Sequence, residues 1–563
     1  MKGVIIMKTK QIVLGIICMV CLAGCSDNFL SKEPYSSTLT QAQYERLSNT
    51  MEASMRGVYS TLYAYSDHDQ FGKRSIDMYC DITSSDMALT SQRYGWFGSD
   101  EAGMSATGRT GYIWVINYST MRNINKVIKL VNDQSDLLSR IAEFGLPNTY
   151  NSKKESYYTI GALGDTLASF STSEANTAYI YAQALTMRGY IYSQMINLYT
   201  LPAWRIAQEG GTLGSTIAFP VYNETNMDEA QPLASVEEAY SQVENDLENA
   251  IAYFDAFGET NQRTTKLEVD VNVARGLLAY SYLNKGNQYG PSKEPYKNAL
   301  KYAKEVIASG DYNVLPNAEV LTNGFNNVNS KNWMWGQDVT TETATGLGSF
   351  FGQVDIHSYS YAWAGDTKAI DANLYDLIPT FDIRKQWFND GTKDSKFQYT
   401  PDKKFFSEKN PTSTEDMDID REWLSDNVFM RYESMYLIAA EASYRIGEME
   451  DAKTYLTALT DERVSADLQA EYDAYKAGLN ANNLLNAIEY NWRVEMWGEG
   501  YGLQTLLRLG NDVIDTNNKR KRGKNHCLNS GAEIDPTSYQ YTFIIPSSET
   551  SYNPAINGGT KLD

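Results

Sequence analysis

Few residues in this chain are able to do covalent or metal chemistry. Of the five cysteines, Cys18, Cys21 and Cys25 crowd the stretch "CMVCLAGC", while Cys80 and Cys527 stand far apart. The three histidines, His68, His357 and His526, have no ligand spacing, so no zinc site is expected. Asp416, Asp418 and Asp420 of "DMDIDREWLSDN" are spaced like the start of a calcium loop. The glycine at its sixth place and the glutamate at its twelfth are missing, so a solvated acidic loop is expected. "GLGSFFG" does not lead from a strand into a helix and is no phosphate cradle. "KRKRGK" at 519–524 reads as a surface loop in an acidic chain. Carboxylates are abundant, but nothing marks a glycosidase pair, and no Ser-His-Asp or Cys-His signature stands out. The residues point away from an enzyme, and no metal or cofactor is expected.

Cys25 is the cysteine with a defined chemistry. Lys8 and Lys10 precede an apolar run from Ile12 to Ala23, too short to span a bilayer and shaped like an export signal. It ends in Leu22-Ala23-Gly24-Cys25, which resembles the lipobox of bacterial lipoproteins. There the thiol is acylated and everything before it removed, which makes Cys18 and Cys21 discarded filler. "MKTKQIVLG" from Met7 opens such a signal more naturally than Met1 does. Acyl chains on Cys25 would hold the body at a membrane surface. Residues 25–37, small, polar and proline-containing, suit a lipidated tether. No later stretch approaches ~18 uninterrupted apolar residues.

The elements that carry the rest are helical. Leu47, Met51, Met55, Val58 and Leu62 form one apolar stripe, and Trp114, Tyr118, Met121, Asn125 and Ile128 a second. Ala182, Leu185, Tyr192, Met195 and Tyr199 form a third, stopped by Leu201-Pro202. Ser235 and Glu238 make a capping box ahead of another helix. "NVARGLLAYSYLNKG" and "PYKNALKYAKEVIASGDY" predict a hairpin of two helices crossing at small residues (Ala274, Gly276, Ala279, Ala299, Ala303). "RYESMYLIAAEASYRIGEMEDAKTYLTALTDERV" repeats the design at 431–464. Each hairpin resembles a tetratricopeptide unit, which buries its faces only by stacking. The fold class is therefore mainly α, a scaffold of tetratricopeptide-like helical hairpins. Two regions lack helical period: 67–111, and the Gly-, Thr-, Asp- and aromatic-rich 320–420. Long irregular loops on a rigid scaffold are where function is usually placed.

Without residues 1–24 the chain loses Lys2, Lys8 and Lys10 and no acid, leaving 46 basic against 70 acidic residues, a net of −24. That balance repels nucleic acid and anionic headgroups. Two cysteines in the body could pair but cannot build a disulfide fold. The 41 tyrosines and 10 tryptophans are mostly core, yet they are also the stock of flat binding platforms.

Motifs along most of the chain carry a resemblance. Cys25 is followed by "DNFLSKEP"; Trp114 to Ile128 reads W…Y…M…N…I; "ALTMRGYIYSQMINLYTLP" stands where an alanine-rich helix closes. "LYDLIPTFDIRKQWF" (with Asp382 and Arg384), "RYESMYLIAAEASYRIG", "NWRVEMWGEGYGLQTLLRLG" and "FIIPSSETSYNP" (Pro546, Glu549, Asn553, Pro554) follow in order. The chain thus resembles the SusD/RagB family, the SusD-like surface glycan-binding lipoproteins of Bacteroidetes. It departs mildly around Glu489 and Arg493, in a segment more arginine-rich in the family. Gly502 stands where a basic residue is common, and only Ser26-Asp27 remains of the acidic signal after the lipid cysteine.

The resemblance implies a single SusD-like domain over 38–563, with scaffold at about 38–66, 112–315 and 421–515 and ligand-face loops at about 67–111 and 320–420. It implies a non-catalytic outer-membrane, surface lipoprotein. Such a protein captures an oligosaccharide or polysaccharide and delivers it to a TonB-dependent (SusC-like) transporter; in the RagB branch the cargo is peptide. Sugar rings offer C–H faces to aromatic rings and hydroxyls to polar side chains. In loops so placed, Tyr94, Trp96 and Phe97 of "RYGWFG" are the ligand candidates, with Arg93 and Asp86 as polar partners. Tyr359, Tyr361 and Trp363 of "HSYSYAW" alternate, which in an extended segment puts them on one face with His357. Trp114, Trp333, Trp335, Trp387, Trp492 and Trp497 fall within helical or apolar patterns and are expected in the core.

Overall fold

Apolar stripes at helical spacing dictate most of what forms. The computed structural model describes residues 50–91, 93–98, 109–133, 172–257, 263–407, 424–513 and 520–556. Cys25, the export segment, the tether and Asp416–Asp420 lie outside them. The long helices are α1 (Thr50–Ser60), α2 (Lys73–Thr83), α3 (Arg109–Asn132), α4 (Thr172–Tyr199), α5 (Val236–Phe257), α6 (Val271–Lys285), α7 (Glu294–Ser309), α8 (Glu433–Ile446), α9 (Met449–Thr460), α10 (Leu484–Glu495) and α11 (Gly502–Val513).

From α3 to α9 each long helix packs on the next in chain order; α10 then returns onto α8, α11 onto α10, and α2 onto α11. The mainly helical, tetratricopeptide-like architecture is what the hairpin patterns predict. The local signals also hold. Ser235 Oγ accepts from the Glu238 N–H at 3.1 Å while the Glu238 carboxylate accepts from the Ser235 N–H at 2.7 Å. Asp270 caps α6 through the Val273 N–H at 2.9 Å. Gly447, at φ 94°, ends α8 in the left-handed conformation that makes a tight hairpin to α9 possible. All six tryptophans expected in the core are buried.

One helix escapes the pattern. Residues 67–111 contain α2, every residue of which is buried, including the polar side formed by Lys73, Arg74, Asp77 and Asp81. Among the described residues, eight short strands form four antiparallel ribbons. They are β1 (Tyr65–Asp67) with β2 (Gln70–Phe71), β3 (Met87–Leu89) with β7 (Lys368–Ile370), β4 (Ile217–Pro220) with β5 (Leu233–Ser235), and β6 (Trp333–Gln337) with β8 (Asn427–Arg431). The β3–β7 ribbon sets Met87 opposite Ile370 and Leu89 opposite Lys368. It joins the two irregular regions directly, and the Thr90 N–H to Thr367 carbonyl bond at 3.1 Å continues it.

The sequence motifs converge on buried charge. Glu495 receives Arg463 Nε at 2.9 Å, Arg431 Nη1 at 3.0 Å and Arg384 Nη1 at 3.1 Å. Arg384 also grips Asp382 at 2.6 Å, Arg431 grips Glu499 at 2.8 Å, and Lys404 reaches Glu499 at 3.0 Å. Burial works to raise the pKa of Glu495, and the three guanidiniums overcome it and hold the carboxylate well below its ordinary range. These contacts tie the loop after β7, the end of β8, the turn after α9 and the end of α10 into one knot. Cys80 is buried and Cys527 exposed, and no disulfide joins them.

Gly502, the position where a basic residue is common in the family, lies against buried Asp81, which accepts from its N–H at 2.9 Å. Burial, with the nearby Asp86 charge adding, pushes the Asp81 carboxyl up to about 7 against those N–H bonds. An acid that binds its proton more tightly when folded favours the fold at low pH. Its contribution is full below about pH 4, falls between about pH 4 and 7, and is lost above. Asp81→Asn is therefore expected to stabilise the protein at pH 8 by on the order of 1–2 kcal/mol and to change it little at pH 4.5. Urea midpoints of wild type and variant at both pH values check this.

Candidate functional site

Three loop segments meet on one side of the β3–β7 ribbon. The β1–β2 hairpin carries Tyr65 and, in its turn, His68. It is fastened by Asp69 to Arg109 at 2.7 Å and by the His68 carbonyl, which accepts from Gln353 Nε2 at 2.8 Å. The loop after β3 carries Arg93, Tyr94 and Trp96. The segment before β7 carries Tyr359, Tyr361 and Trp363.

Five of the rings, those of Tyr65, His68, Tyr94, Trp96 and Tyr361, form a connected strip, and Tyr359 and Trp363 form a pair beside it. The Tyr361 ring lies 5.1 Å from Tyr94, 5.4 Å from His68 and 6.2 Å from Trp96, each edge-on, and its hydroxyl is 3.2 Å from His68 Nδ1. His68 lies 5.1 Å from Trp96 and 5.9 Å from Tyr65. Tyr359 and Trp363 pair at 5.5 Å. Tyr65 and Tyr94 are 46% and 44% exposed; Trp96, Tyr359, Tyr361 and Trp363 are half-buried. Burial raises the Tyr361 hydroxyl above the usual phenol value, and the phenols of Tyr65, Tyr94 and Tyr359 add to it.

The segment 356–365 is a run of bends and turns, not the extended strand that alternation predicts. Alternation survives nonetheless. His357, Tyr359, Tyr361 and Trp363 reach the surface, while Ser358, Ser360 and Ala362 point inward. Ser358 Oγ donates to the Asp355 carboxylate at 2.6 Å, and Ser360 Oγ, bonded to the Asp355 carbonyl, accepts from the Trp363 N–H at 2.9 Å. Small polar residues thus replace the pleat. Burial raises the pKa of Asp355 against its hydrogen bonds.

Two expected ligand residues do not reach the surface. Phe97 is fully buried, against Tyr79 at 5.0 Å and Phe71 at 6.2 Å, with the Arg109 guanidinium over it. The Gly98 N–H bonds the Gly95 carbonyl at 3.3 Å, closing a turn in which Phe97 takes φ 65° and faces inward while Trp96 stays out. Asp86 is 1% exposed and belongs to the framework. Its carboxylate meets Arg493 at 2.8 Å and Arg520, and its carbonyl accepts from Trp497 Nε1 at 2.9 Å. Arg520 and Arg522 of the basic run are drawn inside, while Lys521 and Lys524 are exposed; Lys519 lies outside the described residues.

His357 Nε2 lies 2.9 Å from Asp402. Burial lowers its pKa, but the Asp402 hydrogen bond and the Asp355 and Asp402 charges outweigh this and leave it raised. Asp402 is lowered by the same bond. The imidazole is thereby committed to a partner. Tyr65 and His68 were missed by sequence reasoning: Tyr65 falls at the end of a helical stripe, and His68 was weighed only as a metal ligand. The signal that points to them is the clustering of "YAYSDHDQF" at a hairpin ahead of α2.

Two hollows lie elsewhere. One of about 100 Å3 sits in the helical core by Tyr190, Tyr280, Tyr501 and Cys80, and a groove of about 730 Å3 runs by Leu377, Tyr475, Tyr490 and Arg493. No residue of the strip lines either.

A helical-hairpin scaffold bearing an irregular aromatic face defines the class. The chain belongs to the SusD family, whose family model matches residues 276–558. It is similar in fold to a SusD-like carbohydrate binding protein from Bacteroides vulgatus (TM-score 0.65, 22% identity, 92% of this chain and 98% of that one). A SusD superfamily protein from Bacteroides thetaiotaomicron matches with TM-score 0.64 at 17% identity over 90% and 98%. Surface glycan-binding protein A from Bacteroides uniformis matches with TM-score 0.57 at 14% identity over 90% and 98%. No curated protein matches the chain.

Proposed function

We propose that this chain is a non-catalytic surface lipoprotein, anchored through Cys25 in the outer membrane. In this reading it captures an oligosaccharide or polysaccharide on the strip and delivers it to a TonB-dependent, SusC-like transporter. One observation carries the reading: the β3–β7 ribbon gathers aromatic side chains from loops nearly 300 residues apart onto one half-exposed strip. Tyr65, His68, Tyr94, Trp96, Tyr359, Tyr361 and Trp363 are the residues assigned to ligand, with Arg93 at the rim. Stacking rings hold sugars through C–H faces at on the order of 1 kcal/mol per ring beyond buried area, an affinity suited to cargo that must be released. Membership of the SusD family and likeness in fold to a carbohydrate binding protein and a surface glycan-binding protein support the sugar as cargo. No helix among the described residues is long and apolar enough to cross a membrane, which accords with an anchor at the N-terminal side.

The test is to purify the full chain from outer membranes, ask whether a TonB-dependent transporter comes with it, and measure binding and reducing-end release across a panel of plant, microbial and host polysaccharides. Binding without release supports the reading. Release of reducing ends overturns the non-catalytic assignment, and binding of peptides alone turns the cargo into peptide.

Gly348 makes room for one platform ring: a Cβ there would stand 2.1 Å from Tyr65 Cε2. Gly348→Ala is expected to displace the exposed Tyr65 ring and weaken polysaccharide binding about threefold, with little change in thermal midpoint. Titration calorimetry and a melt of the same sample check this.

A further inference from the structure

The strip ends at two cations. Arg93 is exposed; its Nη1 donates to the Ala364 carbonyl at 2.8 Å and its guanidinium stands 5.6 Å from the Tyr94 ring centre. Lys396, also exposed, donates from Nζ to the adjacent Trp363 carbonyl at 2.8 Å. The two arms bracket Gly365, whose missing side chain leaves the space between them open. Arg93 Nη1 and Lys396 Cε lie 3.7 Å and 3.8 Å from the point where a Cβ would be, hence within 7.5 Å of each other.

Neither side chain makes an ion pair among the described residues. Asp394, the nearest carboxylate in sequence to Lys396, caps the Lys396 backbone N–H at 2.9 Å instead. Asp402 is taken by His357. Hydrogen bonding to neutral carbonyls fixes both headgroups and consumes no charge. The guanidinium keeps its Nη2 edge, and the ammonium two of its three N–H bonds, for something else. Bringing two like charges together costs energy, and the rest of this chain is strongly acidic, so its general field repels anions. A local pair of cations with no ion pair among the described residues, at the end of an aromatic strip, runs against both tendencies, and an anionic ligand group between them relieves both.

We propose that the sugar bound on the strip is acidic, and that Arg93 and Lys396 together read a carboxylate or sulfate substituent lying over Gly365 while the ring stacks beside it. This rests on the glycan reading above and narrows it to anionic saccharides. The Arg93 guanidinium offers a planar fork to either anion, and the Lys396 ammonium a point charge.

The test uses the full chain and matched probes: polygalacturonate against its methyl ester, and carrageenan against agarose, within a wider panel of acidic and neutral polysaccharides. The acidic member of at least one pair is expected to bind about tenfold more tightly than its neutral partner at low salt, a preference that shrinks as salt rises. Preference within the first pair identifies a carboxylate, within the second a sulfate. R93Q/K396Q is expected to erase the preference, so that the acidic member binds no more tightly than its neutral partner, while R93K/K396R retains it; melting curves of all three confirm folding. Equal binding of acidic and neutral members, or a preference that survives R93Q/K396Q, overturns the proposal and leaves glycan capture standing. Failure of every polysaccharide, acidic or neutral, fells the glycan reading and this proposal with it.

Discussion

Tyr361→Ala is expected to lower affinity for the bound polysaccharide by at least about tenfold while shifting stability by only about 1 kcal/mol. Tyr361 contacts both other loops, through Tyr94 and Trp96 of one and His68 of the other. Its hydroxyl lies against His68 Nδ1 at 3.2 Å. Removal takes away a stacking surface and also frees the neighbouring rings to rotate, so the loss exceeds one contact. Stability suffers less because the side chain is half-exposed, and the segment is held by its backbone: the Tyr361 N–H bonds the Gly352 carbonyl at 2.8 Å. Titration calorimetry with the best polysaccharide of the panel measures the loss. An affinity within twofold of wild type removes Tyr361 from the ligand site.

Glu495→Gln is expected to destabilise the fold by about 3–5 kcal/mol, the cost of leaving buried charge uncompensated. The amide keeps the shape of the side chain but not the charge that Arg384, Arg431 and Arg463 share. It also turns donors toward donors, since guanidiniums cannot accept. Those arginines come from three separate stretches, so the loss acts on the packing of α8, α9 and α10 together rather than on one helix. Urea denaturation gives the answer: a midpoint within about 0.5 kcal/mol of wild type would show that the knot is replaceable by solvent or by neighbouring carboxylates.

The scaffold was legible because its information is local. The stripe through Trp114 and Met121, the Ser235–Glu238 box and the glycine at 447 each report a helix, a start or a stop within a few residues. The helix Lys73–Thr83 was missed although Lys73, Arg74, Asp77 and Asp81 give it a polar side; that side is buried instead of facing solvent. The site was half legible. Aromatic-rich loops pointed to segments whose rings do meet, and alternation in "HSYSYAW" picked out the side chains that reach the surface even though the backbone there is turns. What stayed hidden was set by contacts across hundreds of residues. Asp86 looked like a partner for "RYGWFG" by proximity, but its carboxylate is claimed by Arg493 and Arg520, both more than 400 positions away. Phe97 looked like Trp96, but a left-handed turn sends one ring inward and the other out. The β3–β7 pairing that assembles the strip has no local signature, being three residues on each side.

The knot and the strip divide the work between them. Buried arginine–carboxylate contacts and stacked helices hold a rigid frame, and the ribbon mounted on it presents rings whose outer faces are still wet. A frame of this kind lets the loops vary in sequence without loss of the fold, which is how a helical scaffold serves many ligands.

The measurement that tests the central claim most directly is affinity electrophoresis of the full chain beside Tyr361→Ala, through gels each containing one polysaccharide of the panel. The account predicts that at least one polysaccharide retards the wild type and that the variant, with a native melting curve, runs free in the same gel. Equal retardation of the two, or free passage of the wild type through every gel, contradicts capture of a glycan on this aromatic strip.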